Sequence, residues 1–244
     1  VTRIVLIFRK FNQTQKEKEA EKVIRNRCKE EEARLYVIGK DINYSGIETK
    51  FRVRGIFEEY KNLRIKLYGA HQLVNATVAI AAVESMRRHN VLVGISSIRR
   101  ALYNTLWPGR CEVISRKPLV VLDGAQNAAS ARVLKKAIKE NFQYKRLFLI
   151  LGISNDKDIK GIAGELYDLA DTVILTKADN PRSTDPGTLK KYFLGKGIGG
   201  GKEVHMTDSV KEAKNLALRM VNKEDLILVT GSLFVVGEFK NDKT

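Results

Sequence analysis

The chain has 244 residues, 43% of them hydrophobic, and 44 Lys and Arg against 28 Asp and Glu give it a formal net charge of +16. That apolar fraction is ordinary for packed domains and excludes a disordered or collagen-like polymer, and the length suits one large domain or two of about 100–150 residues. The uniformly apolar runs, such as residues 4–8, fall far short of the roughly 20 residues that cross a bilayer, and residues 1–11 show no signal-peptide cleavage pattern.

In chain order, residues 3–9 read as a buried strand, followed by a polar loop with Asn12 and Thr14. An amphipathic helix is expected over residues 16–32, with Ala20, Val23, Ile24 and Cys28 on one face. Residues 35–39 form a short strand, completing a strand–helix–strand unit. Between residues 41 and 67 the pattern shortens to alternation, and 50–54 and 63–67 read as hairpin strands. An Ala-rich helix opens near Gly69 and runs to about His89, thin enough for close packing through Ala79, Ala81 and Ala82. A second helix over 96–103 ends before Trp107-Pro108-Gly109-Arg110. The Pro-Gly pair after the single Trp marks the expected boundary between a first domain, 1–106, and a second, 107–244.

Beyond that boundary, strands at 111–115, 119–122, 147–151, 172–176, 203–206 and 226–230 alternate with helices at 128–140, 159–169, 188–193 and 209–221, the last with Asp208 as N-cap. Continuous Val/Ile/Leu strands between helices predict an α/β, Rossmann-like domain whose mostly parallel sheet is covered on both faces.

The charge raises a nucleic-acid partner, since clustered Lys and Arg release counterions from phosphates. The distribution weakens it: residues 1–107 carry 21 basic and 11 acidic side chains, residues 108–244 carry 23 and 17, and the signs interleave. Segments such as Lys16-Glu17-Lys18-Glu19 read as solvated helix faces. Small anionic substrates fit this field better than nucleic acid does. Cys28 and Cys111 lack CxxC spacing and read as reduced thiols of a soluble cytoplasmic protein.

Ligands of doubly wound sheets sit at the carboxyl edge of the strands. Three strands here run into small or glycine-bearing turns there: Asp123-Gly124-Ala125, Gly152-Ile153-Ser154 and Gly231-Ser232. Glycine lets backbone N–H groups approach an anion, and a following helix N-terminus favours negative charge. The G-x-G-x-x-G string at 195–200 precedes a strand and reads as a surface loop. The nearby Gly201-Lys202 is no Walker A loop, because Lys196 stands where the first Gly is needed and Glu203 follows the Lys.

Six short motifs occur in order: His71-Gln72-x-x-Asn75-Ala76, Pro108-Gly109-Arg110-Cys111-Glu112-Val113, Asp123-Gly124-Ala125-Gln126-Asn127, Gly152-Ile153-Ser154-Asn155-Asp156-Lys157-Asp158, Asp179-Asn180-Pro181-Arg182 and Thr230-Gly231-Ser232-Leu233. Together they closely resemble the C-terminal half of folylpolyglutamate synthase/dihydrofolate synthase, within the Mur ligase superfamily. The resemblance implies a ligase domain preceded by the end of a central ATPase-type domain. It also implies an ATP-dependent ligase of folate and one-carbon metabolism: ATP phosphorylates a folate-side carboxylate, and the glutamate amine attacks the acyl phosphate. By that likeness Asn75, Arg110 and Asp123 are nucleotide contacts, suited by amide, guanidinium fork and carboxylate chemistry. Gln126, Ser232 and Arg182 fall at the glutamate pocket, Arg182 by analogy with the same string in peptidoglycan tripeptide ligases. Lys157 reads as an ion-pair brace.

Two departures stand out. The family's usual His after Asp-Gly-Ala is Gln126, which donates and accepts but carries no proton at neutral pH. The usual Pro after Asn127 is Ala128. The family's P-loop, Mg²⁺ ligands and modified lysine are expected upstream of this chain, so the chain alone is not expected to turn over ATP, and association with the missing part or self-association is expected. A peptidoglycan-precursor ligase fragment and a non-catalytic nucleotide- or amino-acid-binding relic are the competing readings. Partners expected on the folate reading are ATP, glutamate and a reduced folate or dihydropteroate.

Overall fold

A computed structural model describes residues 3–8, 15–194 and 202–241. The expected loops at Asn12 and Thr14 and at 195–201 lie outside those residues. The chain forms two compact units, Val1–Leu106 and Trp107–Thr244.

In the first unit, β1 (Ile4–Phe8), α1 (Gln15–Glu30) and β2 (Arg34–Ile38) make the strand–helix–strand unit, with β1 and β2 parallel. Three antiparallel strands follow, β3 (Asn43–Ile47), β4 (Lys50–Arg54) and β5 (Glu59–Arg64), with β4 in the middle. On β4, Phe51 and Val53 point into the core and Lys50, Arg52 and Arg54 point out, as period-2 alternation requires. The sheet's inner face packs with α2 (His71–Ser85) and α3 (Ile95–Asn104) around Tyr60, Leu63, Ile80 and Ala81. Burying a side chain the size of Leu63 or Ile80 stabilises by about 1.5–3 kcal/mol.

The hairpin's second strand was expected at 63–67 and lies earlier, at Glu59–Arg64. Between Phe51↔Leu63 and Val53↔Tyr60 the partner strand carries one extra residue, and Asn62 takes a left-handed φ of 55°. This bulge breaks the alternation on which the reading depended. The Ala-rich helix ends at Ser85, and Met86–His89 tightens into a 3₁₀ turn.

The second unit holds a six-stranded sheet ordered β10-β9-β8-β11-β7-β6. Its strands are β6 (Glu112–Arg116), β7 (Leu119–Leu122), β8 (Leu147–Leu151), β9 (Thr172–Leu175), β10 (Glu203–Met206) and β11 (Leu226–Thr230). Five are parallel, and β6 runs antiparallel to β7 at the edge. Helices α4 (Ala128–Asn141), α5 (Ile159–Tyr167) and α6 (Pro186–Leu194) pack in succession, while α7 (Val210–Met220) packs with α8 (Leu233–Asn241).

Alternate strand residues serve the two layers. Leu122, Phe148, Ile150, Ile227 and Val229 share a cluster with Val210, Ala213 and Ala217 of α7 and with Val235, Val236 and Phe239 of α8. Their neighbours Val121, Leu149 and Leu228 are equally buried and face the other way, the side left to α4, α5 and α6. The last strand in sequence, β11, is inserted between β7 and β8. From β7 the chain passes to α4 and from its neighbour β11 to α8, on opposite faces. That divergence opens the crevice at their carboxyl ends.

Two local readings shift. The N-cap of α7 is Ser209 rather than Asp208: Ser209 has extended backbone, and its Oγ accepts the Glu212 N–H at 3.2 Å. Asp208 stands one residue too early to reach that amide. Helix α8 was not anticipated, because Leu233-Phe234-Val235-Val236 is an unbroken apolar run without helical periodicity.

Candidate functional site

Three glycine-bearing corners follow adjacent strands of the second unit: Asp123-Gly124-Ala125 after β7, Gly231-Ser232 after β11 and Gly152-Ile153 after β8. The first is built around Asp123. Its two carboxylate oxygens accept backbone N–H groups from Cys111 and Ala125, each at 2.8 Å. Burial pushes its pKa up from the ordinary carboxylate value, against the opposing pull of those two N–H groups and the Arg110 charge. Cys111 supplies its N–H from a left-handed conformation at φ 46°. Burial and the neighbouring Asp123 push the Cys111 thiol up to about 12, so it stays neutral and is no nucleophile.

Arg110 reaches the same corner. Its Nη1 lies 3.4 Å from where a Cβ on Gly124 would sit, and the Leu233 side chain occupies that position outright. Gly124 in turn donates its N–H to the Gly109 carbonyl at 2.8 Å, and Gly109 donates to Glu112 Oε2 at 2.9 Å. The Pro108–Cys111 loop is thus tied to the end of β7 from both sides, with Leu233, the first residue of α8, against it.

The second corner turns at Gly231, whose φ is +98° and whose added Cβ would meet the Gly152 carbonyl at 2.5 Å. Only glycine fits there. It positions Ser232, whose Oγ accepts the Phe234 N–H at 3.2 Å and caps the start of α8. The Arg182 guanidinium stacks over the Phe234 ring at 5.6 Å. The Asp179–Arg182 loop is fixed to the turn after β8 by Asn155 N–H to the Arg182 carbonyl at 2.8 Å and Thr184 N–H to the Ile153 carbonyl at 2.9 Å. Lys157 braces this turn through Asp156 Oδ2 at 2.6 Å, as its position between two aspartates predicts. At the adjoining strand ends, the hydroxyls of Thr176, Thr184 and Thr230 are buried without a hydrogen-bond partner among the described residues.

The second unit therefore brings Arg110, Asp123, Ser232 and Arg182 to one rim. Gln126 is exposed just beyond Ala125, next to the α4 N-cap Asn127, whose side chain forms a capping box with Ser130. Asn75 belongs to the first unit, on the exposed side of α2, with its Nδ2 donating to Gln72 Oε1 at 3.0 Å. Cys111 and Leu233 stand inside two of the sequence motifs without a role of their own there, and Phe234, one residue beyond the last motif, was not singled out. Among the described residues no group of three or more His, Cys, Asp or Glu could hold a metal ion, and no helix is long and apolar enough to cross a membrane.

Residues 109–233 match the family model described as Mur ligase, glutamate ligase domain. The chain belongs to the Mur ligase family. A probable bifunctional folylpolyglutamate synthase/dihydropteroate synthase of Haloferax volcanii is 35% identical over 186 residues, covering 76% of this chain and 21% of the relative. FolC of Escherichia coli, solved in complex with ADP, superposes with a TM-score of 0.78 at 26% identity, covering 89% of this chain and 49% of that one. A Mycobacterium tuberculosis folylpolyglutamate synthase complexed with ADP shares the fold at a TM-score of 0.86 and 22% identity, covering 100% of this chain and 57% of that one. The chain thus spans about a fifth of the Haloferax protein and about half of the two solved chains. The matched segment starts at Gly109, whose carbonyl accepts the Gly124 N–H, and ends at Leu233, whose side chain lies against Gly124.

Proposed function

We propose that the chain is the carboxyl-terminal part of an ATP-dependent ligase that adds glutamate to folates through an acyl phosphate. On this reading residues 107–244 are the glutamate ligase domain and residues 1–106 the end of a central ATPase-type domain. The observation that carries it is the meeting of Arg110, Asp123 and Gly124 with Leu233 at the start of α8, on a rim shared with Ser232 and Arg182. Family membership and folate-synthase relatives solved with ADP support it.

The residues fit a nucleotide. The Arg110 fork lies beside the Gly124 corner, and its paired N–H donors suit phosphate oxygens. Each Asp123 oxygen accepts one N–H and keeps a lone pair for a ribose hydroxyl. Asn75 is assigned as a further nucleotide contact from the first unit. Ser232, Arg182 and Gln126 are assigned to glutamate: Arg182 clamps a carboxylate, and Gln126 orients without transferring a proton. Bound Mg²⁺ supplies charge neutralisation at the transferred phosphate. Its ligands and the P-loop are assigned to the part of the longer relatives that this chain does not span, so the chain alone does not hydrolyse ATP. The site of action is the cytoplasm, and the partner is that upstream part.

Titration calorimetry with ADP and with L-glutamate tests the assignment. Arg110→Met should weaken ADP at least about tenfold, the scale of one lost charge-assisted pair, and leave glutamate unchanged, while Arg182→Met should do the reverse. Affinities equal to the parent's in both variants would remove the assignment. A non-catalytic binding role is the second reading, favoured by Gln126 where the family carries His. Turnover in a reconstituted full-length enzyme that rises on Gln126→His and is absent without it would support that reading.

A further inference from the structure

The outer face of the antiparallel sheet in the first unit is cationic in a regular way. Central strand β4 exposes Lys50, Arg52 and Arg54 at two-residue spacing, and Lys50 stands directly opposite Arg64 of β5. Like charges directly opposed across a sheet are destabilising. Nothing relieves them here: among the described residues Lys50, Arg54 and Arg64 make no ion pair, and Arg52 donates its Nε only to Ser45 Oγ at 2.7 Å. The carboxylate nearest this row in the register, Glu59 opposite Arg54, pairs with Lys61 at 3.3 Å. On the β3 side the face offers Asn43, Ser45 and an 80%-exposed Ile47, with no aromatic ring to stack a base or a pteridine.

A face that reads charge at a fixed interval, without rings, suits a chain of repeated carboxylates. The interval on β4 is about 6.8 Å, two strand residues. A glutamate chain joined through its side-chain carboxyls has five backbone bonds per residue instead of three, so each residue advances about 6 Å and leaves one free carboxylate. We propose that the β3–β4–β5 face binds an oligoglutamate chain, its successive carboxylates pairing with Lys50, Arg52 and Arg54, and with Arg64 as the second row. This inference rests on the folate-glutamate reading above, which supplies a glutamate-extended product as the ligand class. A nucleic-acid backbone is the alternative polyanion, but binding single strands ordinarily adds stacking on aromatic side chains, which this face lacks.

Fluorescence anisotropy on the full chain tests it, with labelled side-chain-linked diglutamate and hexaglutamate and a single-stranded RNA of matched charge. The expected results are about tenfold tighter binding of hexaglutamate than diglutamate and about tenfold loss in the triple variant Lys50→Gln, Arg52→Gln, Arg64→Gln. The charge-matched control Lys136→Gln, Lys139→Gln, Arg219→Gln should bind as the parent does. These substitutions are all at exposed positions, and circular dichroism checks that the fold is kept. Equal affinity for the two lengths, equal loss in the control, or RNA bound more tightly than hexaglutamate through the same residues would overturn the proposal. ADP binding separates the two levels: if it persists while hexaglutamate fails, only this inference falls, whereas loss of both removes the ligase reading beneath it.

Discussion

Asp123 shows how one residue is asked to do two things. Its carboxylate fixes the Cys111 and Ala125 backbones while keeping a lone pair on each oxygen for a ligand. In Asp123→Asn one oxygen becomes an NH₂ group facing a backbone N–H, leaving a buried donor unmet. Stability should fall by about 1–3 kcal/mol, read in urea as a lower midpoint at unchanged slope. The pH dependence follows from the direction of its shift. Burial holds the folded pKa above the unfolded one, so the folded state binds the proton more tightly, and stability from this group declines as pH rises from the ordinary carboxylate value through the raised one. Parent and Asp123→Asn stability measured across that window should show the decline in the parent alone. A parallel pH profile would show that Asp123 is not the titrating group. The residue types at this corner were readable from Asp123-Gly124-Ala125, but the left-handed Cys111 that completes it was not, since nothing in a Cys announces a positive φ.

At the scale of elements, the late strand β11 is stitched between β7 and β8 at both ends. At the amino end the Asp225 carboxylate takes Arg146 Nη2 at 2.7 Å and the Asn222 N–H at 2.8 Å. Burial alone would raise the Asp225 pKa, but the Arg146 and Asn222 hydrogen bonds outweigh it and hold it below the usual range. The stabilisation is therefore present above the unfolded carboxylate value and lost as pH falls through the depressed one. Arg146→Met keeps an apolar stem over Phe148 and removes the charge. It should cost on the order of 2 kcal/mol at neutral pH and progressively less in acid, measured by thermal or urea unfolding. At the carboxyl end Gly231→Ala should cost at least about 2 kcal/mol, because the backbone is left-handed and the Cβ has no room. By contrast Gly164→Ala, inside α5 with open space around it, should gain about 0.5–1 kcal/mol. Equal effects of the two glycine changes would contradict this account of the corner. Strands such as Leu147–Leu151 were legible because every residue is apolar and buried, whereas β5 was displaced by a bulge and α8 was hidden in an unpatterned apolar run.

For the whole molecule, the two units differ in how completely each closes its sheet. In the second, β8 and β11 are buried along their full length between helical layers. In the first, β1 and β2 form a two-stranded parallel sheet, a marginal arrangement by itself. Native-state hydrogen exchange should find β8 and β11 amides opening only with global unfolding, and β1 and β2 amides opening several kcal/mol below it. Uniform protection would contradict that ranking. The order of motifs along the chain made the family legible before any fold was known, because the strings of the second unit mark different corners of one rim. What the strings could not convey is that Leu233 and Phe234 link those corners, one against Gly124 and the other beneath Arg182. The account as a whole is tested most directly by backbone-amide NMR of the chain with millimolar ADP and L-glutamate. ADP should shift amides at Gly109–Cys111 and Asp123–Ala125, and glutamate those at Gly231–Phe234 and Arg182. Shifts confined to other surfaces, or none with either ligand, would contradict it.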